Sequence, residues 1–76
     1  MFRTAFQVVE LALDADENVI ARRVIPYPYP TRKEAVGIIE SFAKGFASSG
    51  YEPKGDFWWG IARDDKTRVR FIIERV

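Results

Sequence analysis

Three groups of polar side chains have types and spacings that could do chemistry. Asp14, Asp16 and Asn18 stand at i, i+2 and i+4, the spacing with which a calcium loop begins to present oxygen ligands. The rest of that pattern is missing. The sixth position, which should be glycine, is Val19, and the twelfth, which should be glutamate, is Ile25. A hairpin turn is the expected reading, because Asp and Asn side chains bond their own backbone. Asp64 and Asp65 are adjacent carboxylates, and carboxylate pairs can carry acid–base work. They fall at an expected hairpin tip, with no enclosing pocket and no partner base, and so read as a solvated turn.

The third group is basic and aromatic. Arg68 and Arg70 alternate along a strand-like run with Ile72, and Trp58 is expected on the same face, joined by Arg22 or Arg23 according to the register of the first hairpin. Cations interleaved with an aromatic ring on an open sheet suit single-stranded nucleic acid, where the ring stacks a base and the cations hold phosphates. The same set suits a protein interface, where Trp and Arg are enriched anchors. Arginine stems also cover apolar surface without any partner. Twelve Lys and Arg against eleven Asp and Glu leave a net charge of +1, which gives no reason of its own to expect nucleic acid or a membrane.

Nucleophilic chemistry has little to start from. The chain holds neither histidine nor cysteine, so the commonest general base, the thiolate ligands and any disulfide are absent. Thr31, Ser41, Ser48 and Ser49 have no histidine to activate them, and Lys44 is the only helical lysine nearby. The five glycines are scattered rather than gathered into a phosphate loop. The expectation is a non-enzyme with no cofactor and no metal.

The elements that must position these residues are short. A strand is expected from about Phe2 to Leu13. Its alternation changes face midway: Phe2, Phe6 and Val8 share one parity, and Val9, Leu11 and Leu13 the other. Either both faces are partly buried or a bulge near Val8 and Val9 shifts the phase. After the turn at Asp14–Asn18, where Asn18 tolerates positive φ, a second strand runs from Val19 to about Tyr27. Pro26-Tyr27-Pro28-Tyr29-Pro30 lacks alternate amide donors and reads as an extended connector, its tyrosines packing at the core edge.

Thr31 with Glu34 forms a capping box at the start of a helix. Ala35, Ile38, Ile39, Phe42, Ala43 and Phe46 make its apolar stripe. Gly50 is expected as the left-handed residue after the helix, with Tyr51 touching Phe46. Glu52–Gly55 is a turn, and strands at about Phe57–Arg63 and Thr67–Arg75 form a second hairpin. A three-residue loop, Asp64-Asp65-Lys66, pairs Trp59 with Phe71 and Ile61 with Val69. That register puts Trp58 opposite Ile72 and within diagonal cation–π reach of Arg70.

The expected architecture is one domain over residues 1–76, of α+β class: a two-layer β-β-α-β-β arrangement, with a four-stranded sheet and one helix packed on one face. If the second and third strands are parallel, their crossover is right-handed. The element order loosely resembles that of small bacterial domains, including antitoxin subunits of some toxin–antitoxin pairs, a likeness of order that transfers no residue. At 76 residues the core is marginal for a monomer. One helix shields one face of a sheet that is apolar on both.

The expected function is therefore a small binding or structural module. It would self-associate as a homodimer, or bind another protein, through the uncovered face or a strand edge. The interface candidates are Trp58, Ile72, Arg68, Arg70, Arg22 and Arg23, and nucleic acid is the alternative partner. No apolar run has membrane-spanning length and the start lacks signal-peptide order, so no membrane partner and a cytoplasmic location are the default.

Overall fold

The structure, a computed structural model, describes residues 5–76. It is α+β, with six elements in chain order: β1 (Phe6–Leu13), β2 (Val19–Val24), α1 (Arg32–Ala43), β3 (Ser48–Glu52), β4 (Phe57–Ile61) and β5 (Arg68–Arg75). The five strands form one sheet in the order β2-β1-β5-β4-β3, and every neighbouring pair is antiparallel. The expected four-stranded sheet thus gains a strand, β3, and among the described residues no parallel pair exists for a crossover rule to act on. The proposed beginning of β1 at Phe2 lies outside the described residues.

The helix starts where its cap dictates. The Thr31 hydroxyl accepts the Glu34 amide at 3.2 Å, the N-cap half of the capping box, and donates to the Glu34 carboxylate at 3.2 Å in place of the Thr31 amide. It stops earlier than its apolar stripe suggests, at Ala43, and Lys44 caps it in right-handed conformation. Gly50 is not a left-handed cap: none of the glycines has positive φ. It sits inside β3, opposite Trp59. A run of Ser48-Ser49-Gly50 is a poor helix former, and here it forms an edge strand against β4. Phe46 still reaches the core, from the turn after the helix.

Between its hairpins the chain crosses the sheet from the β2 edge to the β3 edge. The first leg is the proline segment. β2 ends at Val24, short of Tyr27, and Tyr29 exchanges two backbone bonds with Phe6 at 2.7 and 2.8 Å. Tyr29 packs on the core while Tyr27 is exposed. The second leg is α1, which lies against β1, β5 and β4. Its Ala35 and Ile39 meet Val8, Trp58, Val69 and Phe71 in the main core.

The face change in β1 is resolved without a bulge at Val8 and Val9. β1 pairs with β5 continuously from Phe6↔Arg75 to Leu13↔Arg68, and Val8 and Val9 are both fully buried on opposite faces. The one irregularity lies at Ala12/Leu13 against β2, where Ile20 is left out of the ladder. Both acidic segments are turns held by side-chain bonds to the backbone, as expected. Asp14 accepts the amides of Asp16 and Asn18, each at 2.9 Å, and the positive φ falls on Glu17 rather than Asn18. Asp64 accepts the amides of Lys66 and Thr67, each at 2.9 Å.

Candidate functional site

The register of the second hairpin decides which side chains share a face. Trp58 pairs with Phe71, Trp59 with Arg70 and Ile61 with Arg68, one step away from the expected pairing of Trp59 with Phe71. The reason is the loop. Ala62 donates to the Thr67 carbonyl at 2.9 Å and Asp65 takes φ 58°, leaving the four residues Arg63–Lys66 at the tip instead of three. An even tip reverses the parity of β4 relative to β5.

Trp58 therefore lies beneath the helix, only 8% exposed. Its cation is Arg32 from α1, 5.7 Å from the ring centroid, and not Arg70. Tyr51 leans on it with centroids 4.6 Å apart. Asp56 ties this corner together, accepting from the Tyr51 hydroxyl at 2.7 Å and from Arg32 at 2.6 Å. The Tyr51 bond, then the Arg32 bond, hold the Asp56 carboxyl below the usual carboxylate range. The Asp56 carboxylate in turn raises the Tyr51 phenol. This is a structural brace at the helix-side margin of the sheet.

The face opposite the helix carries the other half of each alternation. Leu11 and Val9 of β1 stand beside Arg70 and Ile72 of β5, and Arg70 in turn stands beside Trp59 of β4. No described element packs across this face. Val9 and Leu13 are buried within it by their neighbours, while Leu11, Phe57, Trp59, Ile61 and Ile72 are half-buried. The Trp59 indole lies across Gly50. A Cβ there would come within 2.7 Å of the ring, so glycine is what lets the indole lie flat along β3. Gly60, on the helix side, makes the same allowance for Phe46, whose ring a Cβ would meet at 2.7 Å.

Charge of both signs surrounds this apolar strip. The Arg70 guanidinium stands 4.7 Å from the Phe57 ring centroid and 3.6 Å from the Glu17 carboxylate. Arg22, opposite Leu11, is the arginine that the first hairpin brings to this face. It donates to Glu74 Oε1 at 2.6 Å, where Gln7 also donates at 3.1 Å. The Gln7 bond, then the Arg22 bond, hold the Glu74 carboxyl below its ordinary range. Arg23 turns to the other side, beside Glu10 at 3.4 Å. Arg68 is half-buried, and its Nε is shielded from solvent with no acceptor among the described residues. Arg68, Arg70, Phe57, Trp59, Ile61, Leu13, Glu17 and Glu52 line an open cleft of about 260 Å³.

Of the six sequence candidates, Ile72, Arg68, Arg70 and Arg22 come together on the open face. Trp58 and Arg23 do not. Trp59 and Phe57 take the place given to Trp58, and Glu17, Glu52 and Glu74 supply an acidic share that sequence reasoning did not assign. The signal was present in part, since Trp59 has the opposite parity to Trp58 by adjacency alone. Among the described residues, no three Asp or Glu side chains stand close enough to hold a metal ion, and no helix is long and apolar enough to cross a membrane.

No protein-family model, curated protein or solved structure matches the chain.

Proposed function

We propose that this chain is a binding module that self-associates, packing the open face of its sheet on the same face of a second copy. The observation that carries this reading is the composition of that face. Its centre is aromatic and aliphatic, through Trp59, Phe57, Leu11 and Ile72. Arg70 lies within it, between Leu11 and Trp59, and around it stand Arg22 and Arg68 together with Glu17, Glu52 and Glu74. A surface that holds both signs can be complementary to itself, which is what a two-fold interface requires. Burying it would also add core to a chain too short to bury much alone.

The same charges argue against single-stranded nucleic acid. A phosphate approaching Arg70 meets Glu17, and one approaching Arg22 meets Glu74. Trp59 could stack a base, but Arg22 and Arg70 each carry an acid beside them.

Light scattering on eluting protein tests the reading. The wild type should rise above 8.8 kDa toward twice that mass as concentration increases, and Trp59→Ala should return it to one chain. A dimer indifferent to Trp59→Ala would move the interface to a strand edge such as β2, all of whose residues are exposed. Tight, salt-sensitive binding of a labelled oligonucleotide, lost in Trp59→Ala, would replace the reading with nucleic-acid recognition.

A further inference from the structure

Two polar groups on the open face of β5 are left unmatched, and they lie at symmetric positions. Arg68 makes no ion pair among the described residues. Glu74 receives both of its donors, Gln7 and Arg22, on Oε1, so Oε2 has no partner among the described residues. Arg68 and Glu74 each stand three residues from Phe71, on the central strand of the sheet. Phe71 itself marks the middle level of the face, being paired with Glu10 on β1 and Trp58 on β4. Along the strand the two groups are about 20 Å apart, too far to meet within one chain at about 3.4 Å per residue.

We infer that the second copy docks about a two-fold axis lying between the two sheets, across β5 at the level of Phe71, so that Arg68 of each copy pairs with Glu74 of the other. This inference rests on the self-association proposed above and specifies its geometry. Such an axis lays β5 antiparallel on β5, β4 on β4 and β1 on β1. Arg70 then stands over Ile72 of the second copy, Leu11 over its Val9, and Trp59 over its Phe57. Each of these pairings follows from the one level set by Glu10, Phe71 and Trp58.

Apolar groups thus meet on β1 and β4, the stem of Arg70 lies over Ile72 on β5 between them, and the two ion pairs close the ends. Stacked sheets lie about 10 Å apart and cross at about 30° because each is twisted. The offset this produces at the ends falls on Arg and Glu, the side chains long enough to span it. Glu74 of the second copy meets the terminal nitrogens of the Arg68 guanidinium, which have no carboxylate partner among the described residues, while Nε stays shielded by its own chain. Glu74 then uses one oxygen within its chain and one across the interface. An ion pair at each end adds direction to the contact between the two faces.

Charge reversal, with mixing, tests this register. In Arg68→Glu, both ends of a homodimer would oppose Glu to Glu. In Glu74→Arg, both would oppose Arg to Arg. Each variant alone should dissociate at least about tenfold more readily than wild type in sedimentation velocity. An equimolar mixture of the two should form a heterodimer, because each end then opposes Glu to Arg. That recovery is not a repair of either chain, since mixing does not restore the Glu74–Arg22 bond inside Glu74→Arg. It also shows that both variants fold.

A mixture that stays as dissociated as its components overturns the register, as does a wild-type dimer that neither reversal weakens. In both cases self-association through the open face can survive, provided Trp59→Ala still breaks the dimer. A wild-type chain that remains monomeric overturns the parent reading, and this register with it.

Discussion

Trp58 and Trp59 are neighbours in the chain and occupy opposite worlds. Trp58 is sealed beneath α1 with Ile39, Val69 and Phe71, and is braced at its margin by Tyr51, Arg32 and Asp56. Trp59 lies flat across Gly50 on a face that no described element covers, with Arg70 opposite it. The covered face has a helix to exclude water. The open face has comparable apolar side chains and only arginine stems to shelter them. One residue of strand offset therefore separates a residue that holds the fold from one free to hold a partner. Pleat parity, rather than residue type, sets the division of labour.

The sharpest way to break this comparison is to truncate both tryptophans in turn. Trp58→Ala should cost about 3–5 kcal/mol of folding stability, the usual range for removing a large aromatic from a core. Urea denaturation at a concentration low enough to hold one species would read it. Trp59→Ala should leave folding nearly intact and weaken association by about 2 kcal/mol or more, about thirtyfold, as for an anchoring residue at an interface centre. Equal losses of folding stability in the two variants would erase the distinction between the faces.

A smaller effect is expected from Gly50→Val. The added Cβ meets the Trp59 ring at 2.7 Å, so the indole must lift from β3. Association should weaken by roughly 1 kcal/mol, less than for outright loss of the ring, with the helix-side core unchanged by near-ultraviolet dichroism.

The smallest effect is that of pH. Asp14, Asp56, Asp64 and Glu74 all have carboxyls held below their ordinary values, principally by bonds from Asn18, Tyr51, Thr67 and Gln7 respectively. A depressed folded-state value means that the stabilisation is fully present above the unfolded value, near pH 4, and is lost as pH falls through the folded one. Thermal midpoints should be flat from pH 7 to about pH 5 and decline below pH 4. The dimer should loosen over the same range as Glu74 is neutralised. A midpoint that rises on acidification would contradict the assignment of these bonds.

Much of the fold was legible because local rules fixed it. Thr31 and Glu34 marked the helix start by their chemistry alone. The Asp14 and Asp64 turns marked two hairpins, and the prolines marked the connector. The fifth strand was hidden because the stripe reaching Phe46 continues a helical period past Ala43, and because Gly50 serves equally well as a helix stop and as the seat of an indole.

The open face was legible in kind but not in membership. Ile72, Arg68 and Arg70 share a face by parity within β5, whatever its partner does. Which tryptophan joins them depends on whether the β4–β5 tip holds an odd or even number of residues. That is set by the backbone conformation at Asp65, which side-chain pattern does not encode. The paired acids were invisible for a related reason: Glu74 and Arg22 are brought together by the order β2-β1-β5, and Glu17 reaches Arg70 only once the first hairpin lies beside β5.

Isotope-filtered NMR on a mixture of labelled and unlabelled chains addresses the central claim most directly, because it reports only proximities between copies. The account predicts intermolecular signals from Trp59, Phe57, Leu11 and Ile72, with none from Trp58, Ile39 or Phe71. Signals clustered on α1 or on the β2 edge, or no intermolecular signal at millimolar concentration, would contradict it.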